Sequence, residues 1–127
     1  MNLERLDHFG IEVIDLDRAE QFYTKVLGLM VVARFGDQVL LSCGDQNLAL
    51  FRVPRPALTA AERQVRITRP LGRGHHAFRV SRADFVVAAQ RLGAAGVESA
   101  PPIDWGDHDC RYFLDPDGNL LEIVSYR

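Results

Sequence analysis

No stretch of this sequence approaches the ~18 consecutive apolar residues that a membrane-spanning helix needs. The first residues, Met1-Asn2-Leu3-Glu4-Arg5-Leu6-Asp7, also lack the cationic flank and apolar run of an export signal. The expectation is a cytoplasmic protein with no membrane partner. Charge of one sign is missing too. A net charge of −2 offers no global attraction to nucleic acid, so no nucleic-acid partner is expected. Cysteine is scarce: Cys43 and Cys110 stand far apart, without the paired spacing of a zinc knuckle or a redox motif. They read as free buried thiols rather than a disulfide framework. Lysine is almost absent, Lys25 being the only one, and nothing functional follows from the preference for arginine. What is present, 127 residues with 47% hydrophobic and 25% charged content, suffices for a single domain, 1–127, with a continuous core.

Asp15 and Asp17 open a segment whose apolar residues, Ala19, Phe22, Tyr23, Val26 and Leu27, have the spacing of an amphipathic helix. Asp17 and Glu20 are spaced as a capping box, and Gly28 suits a left-handed C-terminal cap. The pattern returns after Ser81, with Phe85, Ala88, Ala89 and Leu92 before Gly93. His8 to His75 and Leu27 to Leu92 give nearly the same offset, which marks a duplicated module. One strand precedes each helix and three follow it. In the first half the three are 30–35, 38–43 and 47–53; in the second they are 97–103, 110–114 and 119–126. Asp115-Pro116-Asp117-Gly118-Asn119 is a turn between the last two. Module one spans 5–53 and module two 74–127. The linker, 54–73, carries Pro54, Pro56 and Pro70, a helical turn near 59–64, and Arg63, Arg66, Arg69 and Arg73 as a solvated face.

Alternation along a strand puts Phe9, Ile11 and Val13 on one side of the first strand, and His8, Gly10 and Glu12 on the other. In the strand that begins the second module, Phe78 and Val80 share a side with His76, leaving His75, Ala77 and Arg79 opposite. His75 is thus the counterpart of His8. In the final strand Leu120, Glu122, Val124 and Tyr126 share a side, so a carboxylate stands within an otherwise apolar strand, where burial without a partner is costly. A divalent cation shared with two imidazoles supplies that partner and leaves open positions for water or substrate. The competing partner for Glu122 is Arg79 or Arg52. Aligning Asn47-Leu48-Ala49-Leu50 with Asn119-Leu120-Leu121-Glu122 places Leu50 at the matching position in module one, which adds no fourth ligand.

Leu6-Asp7-His8, Phe22-Tyr23-Thr24-Lys25-Val26-Leu27-Gly28-Leu29, His75-His76-Ala77-Phe78-Arg79-Val80 and Tyr112-Phe113-Leu114-Asp115-Pro116-Asp117-Gly118-Asn119-Leu120-Leu121-Glu122 carry a resemblance over nearly the whole chain. The chain resembles the vicinal oxygen chelate superfamily, which includes glyoxalase I, extradiol dioxygenases, fosfomycin-resistance enzymes and bleomycin-binding proteins. The resemblance implies an α+β fold of two tandem βαβββ modules forming a cup-shaped, eight-stranded mixed sheet, with the helices outside and the metal inside. It implies His8, His75 and Glu122 as ligands of one divalent ion, Fe, Mn, Zn, Ni or Co. Three departures narrow it. Leu50 stands where glyoxalase I enzymes place a glutamate. Gly10 stands where fosfomycin thiol transferases carry threonine. His108 and Tyr112 are closer together than in the extradiol signature.

The function expected is that of a metal-dependent enzyme, of lyase, isomerase, transferase or dioxygenase type, acting on a small oxygen-bearing substrate chelated to the ion. The alternative is a non-catalytic binding protein that sequesters a drug or metabolite in the cup; a third reading is an interaction or virulence protein retaining an ancestral site. His108, beside Trp105-Gly106-Asp107, is a candidate for proton transfer or a solvated turn histidine. Arg52, Arg79, Tyr112 and Tyr126 are candidate substrate contacts. Open strand edges and an apolar helix flank make a homodimer the expected assembly.

Overall fold

The structure, a computed structural model, describes all residues 1–127. The chain divides into two compact units, Met1–Ala57 and Leu58–Arg127. The architecture is α+β, with eight strands shared between two four-stranded mixed sheets. No helix is long and apolar enough to cross a membrane.

The first unit runs β1 (His8–Val13), α1 (Leu16–Gln21), a π-helical turn (Phe22–Val26), β2 (Met30–Phe35), β3 (Gln38–Cys43) and β4 (Gln46–Arg52). Its sheet has the order β1-β4-β3-β2, with β1 and β4 parallel. The cap of α1 is Asp15, whose side chain accepts from the Arg18 amide at 3.0 Å, and not Asp17. Glu20 is instead bound by Arg34 of β2, through contacts of 2.7 and 3.0 Å. The expected single helix widens into a π turn at Phe22. Thr24 Oγ1 donates to Glu20 O at 2.8 Å, the carbonyl that its own amide would take in an α-helix. Gly28 ends the segment at φ 76. Ile11, Val13, Val39, Leu41, Leu48 and Leu50 are buried on the sheet face that α1 covers, along with Ala19, Phe22 and Tyr23 from the helical segment.

The second unit runs α2 (Ala60–Thr68), β5 (His76–Arg79), α3 (Arg82–Ala94), β6 (Ile103–Asp104), β7 (His108–Leu114) and β8 (Leu120–Tyr126), with sheet order β5-β8-β7-β6. Ser81 caps α3 as its position implies. The helix runs through Gly93, and the left-handed glycine is Gly96, φ 71, which lets the Val97 amide close onto Leu92 O at 2.9 Å. The expected strand 97–103 shrinks to two residues and a bridge from Ser99 to Phe113, because Pro101 and Pro102 bring no amide to a ladder. The linker turn is a full helix, α2, with a capping box between Thr59 and Glu62.

α2 also corrects the reading of the linker arginines as a solvated face. Arg63 donates to Pro116 O at 2.9 Å and to Asp115 O at 3.1 Å, while pairing with Glu98 at 2.8 Å. Arg66 donates to Gly118 O at 2.9 Å. The turn they grip is organised by the buried Asp115 carboxylate, which accepts from the Asp117 and Asn119 amides. Ile67 of α2 joins Ala100, Cys110, Tyr112, Leu114 and Leu120 in one apolar cluster. α3 covers the opposite face, where Arg82 reaches Asp109 at 2.6 Å.

Candidate metal and substrate site

β5 and β8 pair so that Ala77 lies opposite Glu122, and β8 and β7 pair so that Tyr112 lies opposite Glu122 from the other side. Side chains two residues apart share a face, so His75, Ala77, Glu122 and Tyr112 all lie on one side of the sheet. His75 Nε2 is 2.9 Å from Glu122 Oε2, and the Tyr112 ring meets the imidazole edge-on, with centroids 5.2 Å apart. Glu122 is 8% exposed. His76, one residue further on, falls on the other face with Phe78; burial, and then the neighbouring His75, hold its pKa below the ordinary value.

The tautomer of His75 follows from its second contact. Nδ1 lies 2.7 Å from the Arg73 carbonyl, which can only accept, so Nδ1 carries a proton. Nε2 of a neutral ring would then turn a lone pair toward the carboxylate. That contact requires either a second proton or a cation between the two groups, and a carbonyl behind the ring is the usual support for a metal-binding imidazole. Two ligand atoms about 2.1 Å from one ion and about 90° apart are themselves ~3 Å apart, so the observed spacing fits a shared metal. The Cys110 thiol also makes a side-chain hydrogen bond to Glu122, while no three histidine, cysteine, aspartate or glutamate side chains are arranged to hold a metal ion.

His8 belongs to the first unit, at the start of β1, with its side chain 59% exposed. Its Nδ1 bonds Asp7 Oδ2 at 2.8 Å, which holds the Asp7 carboxyl below its usual range. Arg52 lies opposite Val13, on the face that α1 covers, so it does not share the face of His8. The pairing also moves the counterpart of Glu122. Gly10, which answers to Ala77, is paired with Ala49, whereas Leu50 is paired with Ile11 in the core. The motif alignment that selected Leu50 was one residue out, because the β3–β4 turn is only Gly44 and Asp45 while the β7–β8 turn runs from Asp115 to Asn119. On that same face Phe51 lies over Gly10 so closely that a β-carbon there would sit 2.9 Å from Cε2 of the ring.

Of the other candidates, Tyr112 is nearly buried; burial first, then the Glu122 and Cys110 charges, raise its phenol pKa. Cys110 is fully buried beneath Trp105, whose Nε1–H donates to Sγ at 3.2 Å, and its thiol is pushed up to about 11, mainly by burial. It is no nucleophile at neutral pH. His108 is not brought to the His75–Glu122 pair. It stands four residues from Tyr112 along β7, ~13 Å at the usual strand rise, with Nδ1 2.6 Å from Asp107. There it belongs to a ladder of stacked groups: Trp105 at 6.4 Å, Tyr126 at 5.0 Å, and Arg79 over the Tyr126 ring at 5.1 Å. Arg79 is thereby occupied with Tyr126, and the partners of Glu122 are His75 and the Cys110 thiol. The grip of the α2 arginines escaped the sequence reading because its acceptors lie in the distant β7–β8 turn, and the contacts of Trp105 with His108 and Cys110 because they follow from the β6–β7 pairing; the one local signal was the Thr59–Glu62 capping box.

The chain is also similar to known proteins over nearly its whole length. The chain is 32% identical to the glutathione transferase FosA of Serratia marcescens, over 95% of this chain and 80% of that protein. It is 30% identical to biphenyl-2,3-diol 1,2-dioxygenase 3 of Rhodococcus globerulus, over 94% of this chain, although it spans only 62% of that enzyme. Among solved structures, a lactoylglutathione lyase from Agrobacterium tumefaciens superposes with a TM-score of 0.75 at 26% identity, over 98% of this chain and 96% of that one. With residues 5–123 matched by the family model, the chain belongs to the Glyoxalase/Bleomycin resistance protein/Dioxygenase superfamily.

Proposed function

We propose that His8, His75 and Glu122 hold one divalent metal ion, and that the protein is an enzyme acting on a small organic substrate that binds the ion through two adjacent oxygens. The observation that carries this reading is the His75–Glu122 contact at 2.9 Å, with His75 Nδ1 committed to a carbonyl. Two neutral nitrogens and one carboxylate suit Fe, Mn, Co, Ni or Zn and leave positions for substrate. When bound, such an ion would supply Lewis acidity to the substrate oxygens. The chain's own residues do the rest. Arg73 O and Asp7 fix the imidazole orientations, Tyr112 closes the buried side of the pair, and Ala49 offers no carboxylate to act as base.

Superfamily membership, with a transferase and a dioxygenase among the relatives, supports metal-dependent chemistry on small molecules without naming the reaction. Elemental analysis of protein purified without added metal tests the site: about one ion per chain, lost in His8→Ala, His75→Ala and Glu122→Ala but kept in His76→Ala, is expected. A homodimer is part of the proposal. Mixing His8→Ala with Glu122→Ala protein in equal amounts, with subunit exchange, restores about a quarter of the metal only if His8 is supplied by a second copy. The alternative, a binding protein without catalysis, is favoured by the fact that a protonated His75 would satisfy Glu122 without metal. Metal-free protein that binds a ligand tightly but shows no turnover after metal loading would establish it.

A further inference from the structure

Cys110 lies on β7 two residues before Tyr112, on the sheet face that carries Glu122, and is diagonal to that carboxylate across the β7–β8 pairing. Its side chain is fully buried in the apolar cluster with Ile67, Tyr112 and Leu120. Two polar groups nevertheless reach the sulfur: the Trp105 indole Nε1–H, at 3.2 Å, and the Glu122 carboxylate. The direction of each bond follows from what the groups carry. An indole nitrogen only donates, so Sγ accepts from Trp105; an ionised carboxylate only accepts, so the thiol proton goes to Glu122. The thiol keeps that proton at neutral pH, because its pKa is pushed up to about 11, mainly by burial. Accepting one hydrogen bond strengthens the sulfur as donor of the next. Trp105 is itself held, although half of its surface meets solvent: its main-chain amide donates to His108 O at 2.9 Å, and its ring stacks on the His108 imidazole.

We propose that Cys110 is a positioning residue for Glu122: its S–H bond, directed by the Trp105 indole, holds the carboxylate in the orientation in which it meets His75 Nε2. The bonds themselves need no metal; their consequence for metal affinity rests on the metal reading of the preceding section. A glutamate side chain on a strand can rotate its carboxylate away from a neighbour, and freedom removed before an ion arrives is not lost on binding it. The Arg73 carbonyl fixes His75 from behind, and the thiol gives Glu122 the corresponding support. The role uses both properties of cysteine, a body apolar enough for the cluster around Ile67 and a proton to give.

Infrared spectroscopy of metal-free protein in a Cys43→Ser background, where Cys110 is the only thiol, reads the Cys110 S–H stretch directly. The band is expected at the low frequency of a strong hydrogen bond, and should move up in Glu122→Gln, which weakens the acceptor, and in Trp105→Phe, which removes the indole donor. A band unmoved by Glu122→Gln overturns the proposal. Manganese affinity, measured by titration calorimetry, tests the consequence. Manganese prefers oxygen donors to thiolates, so a loss in a Cys110 variant is not the loss of a ligand. Cys110→Ala should bind manganese roughly tenfold more weakly, and Cys110→Ser, which keeps a donor, should recover most of that loss. Both variants shrink a core side chain, so an equal loss in the two assigns the effect to packing and overturns the positioning role, as does unchanged affinity in Cys110→Ala. Trp105→Phe alters a half-exposed ring outside the core, and is expected to fold and to weaken manganese binding in the same direction. If wild type takes up no manganese while the S–H band still responds to Glu122→Gln, the metal reading falls and the thiol stands as the support of the His75–Glu122 pair.

Discussion

Ala49 lies opposite Gly10 in the first sheet as Glu122 lies opposite Ala77 in the second. Both follow from a parallel pairing of the first and last strands of a module, and the two residues therefore face the same way relative to His8 and His75. Ala49→Glu places a carboxylate beside Gly10 on the face of His8, whereas Leu50→Glu drives one into a fully buried core position. Denaturant melts should show Leu50→Glu destabilised by more than ~3 kcal/mol, or unfolded. Ala49 is itself 5% exposed, so Ala49→Glu should also lose stability, though less than Leu50→Glu, and where folded should alter metal stoichiometry or affinity in equilibrium dialysis. A folded, stable Leu50→Glu would mean that the β4 register is displaced.

Gly10 and Phe51 are in contact where a threonine would need room. Gly10→Thr is expected to cost about 1–3 kcal/mol through overpacking, and Phe51→Ala should relieve most of that in the double variant. A thermodynamic cycle by urea unfolding gives the coupling directly. Additive effects would place the ring elsewhere.

Arg63 ties α2 to the β7–β8 turn through two carbonyls and Glu98. Arg63→Ala leaves the half-buried Asp115 and Pro116 carbonyls without this donor, for an expected loss of ~1–3 kcal/mol. Hydrogen exchange should quicken together in α2 and at 115–119. Exchange confined to α2 would show that the turn stands without it.

Glu20 and Arg34 link α1 to β2. The Arg34 hydrogen bonds hold the Glu20 carboxyl below its ordinary pKa. A depressed carboxylate contributes stability that is present above the unfolded pKa and is lost as pH falls through the folded one. Arg34→Gln should therefore lower the melting temperature at pH 7, and the difference from wild type should shrink below pH 4.5. A difference that is constant with pH would assign the effect to packing of the Arg34 stem.

Much of this molecule was legible in order along the chain. The two helices, the strand sequence and the duplication follow from periodicities carried within a few neighbouring residues. Alternation alone separated His75 from His76, because a strand's two faces are set by its own backbone, whereas the meeting of His75 with Glu122 follows from the β5–β8 pairing. The misreadings share a physical origin. Register depends on turn length and cross-strand packing, so the Asn-Leu likeness between β4 and β8 pointed to Leu50 when pairing selects Ala49. Arg52 was assigned to the wrong face for the same reason. The reach of Arg63 and Arg66 to carbonyls far along the chain and the place of α2 on the sheet face carrying Glu122 have no local trace. Sequence by itself determined which residues are available for metal chemistry and which way each strand turns them; the tertiary structure decided which stand opposite one another, since hydrogen-bonded pairing between distant strands is a property of the folded sheet and not of either segment.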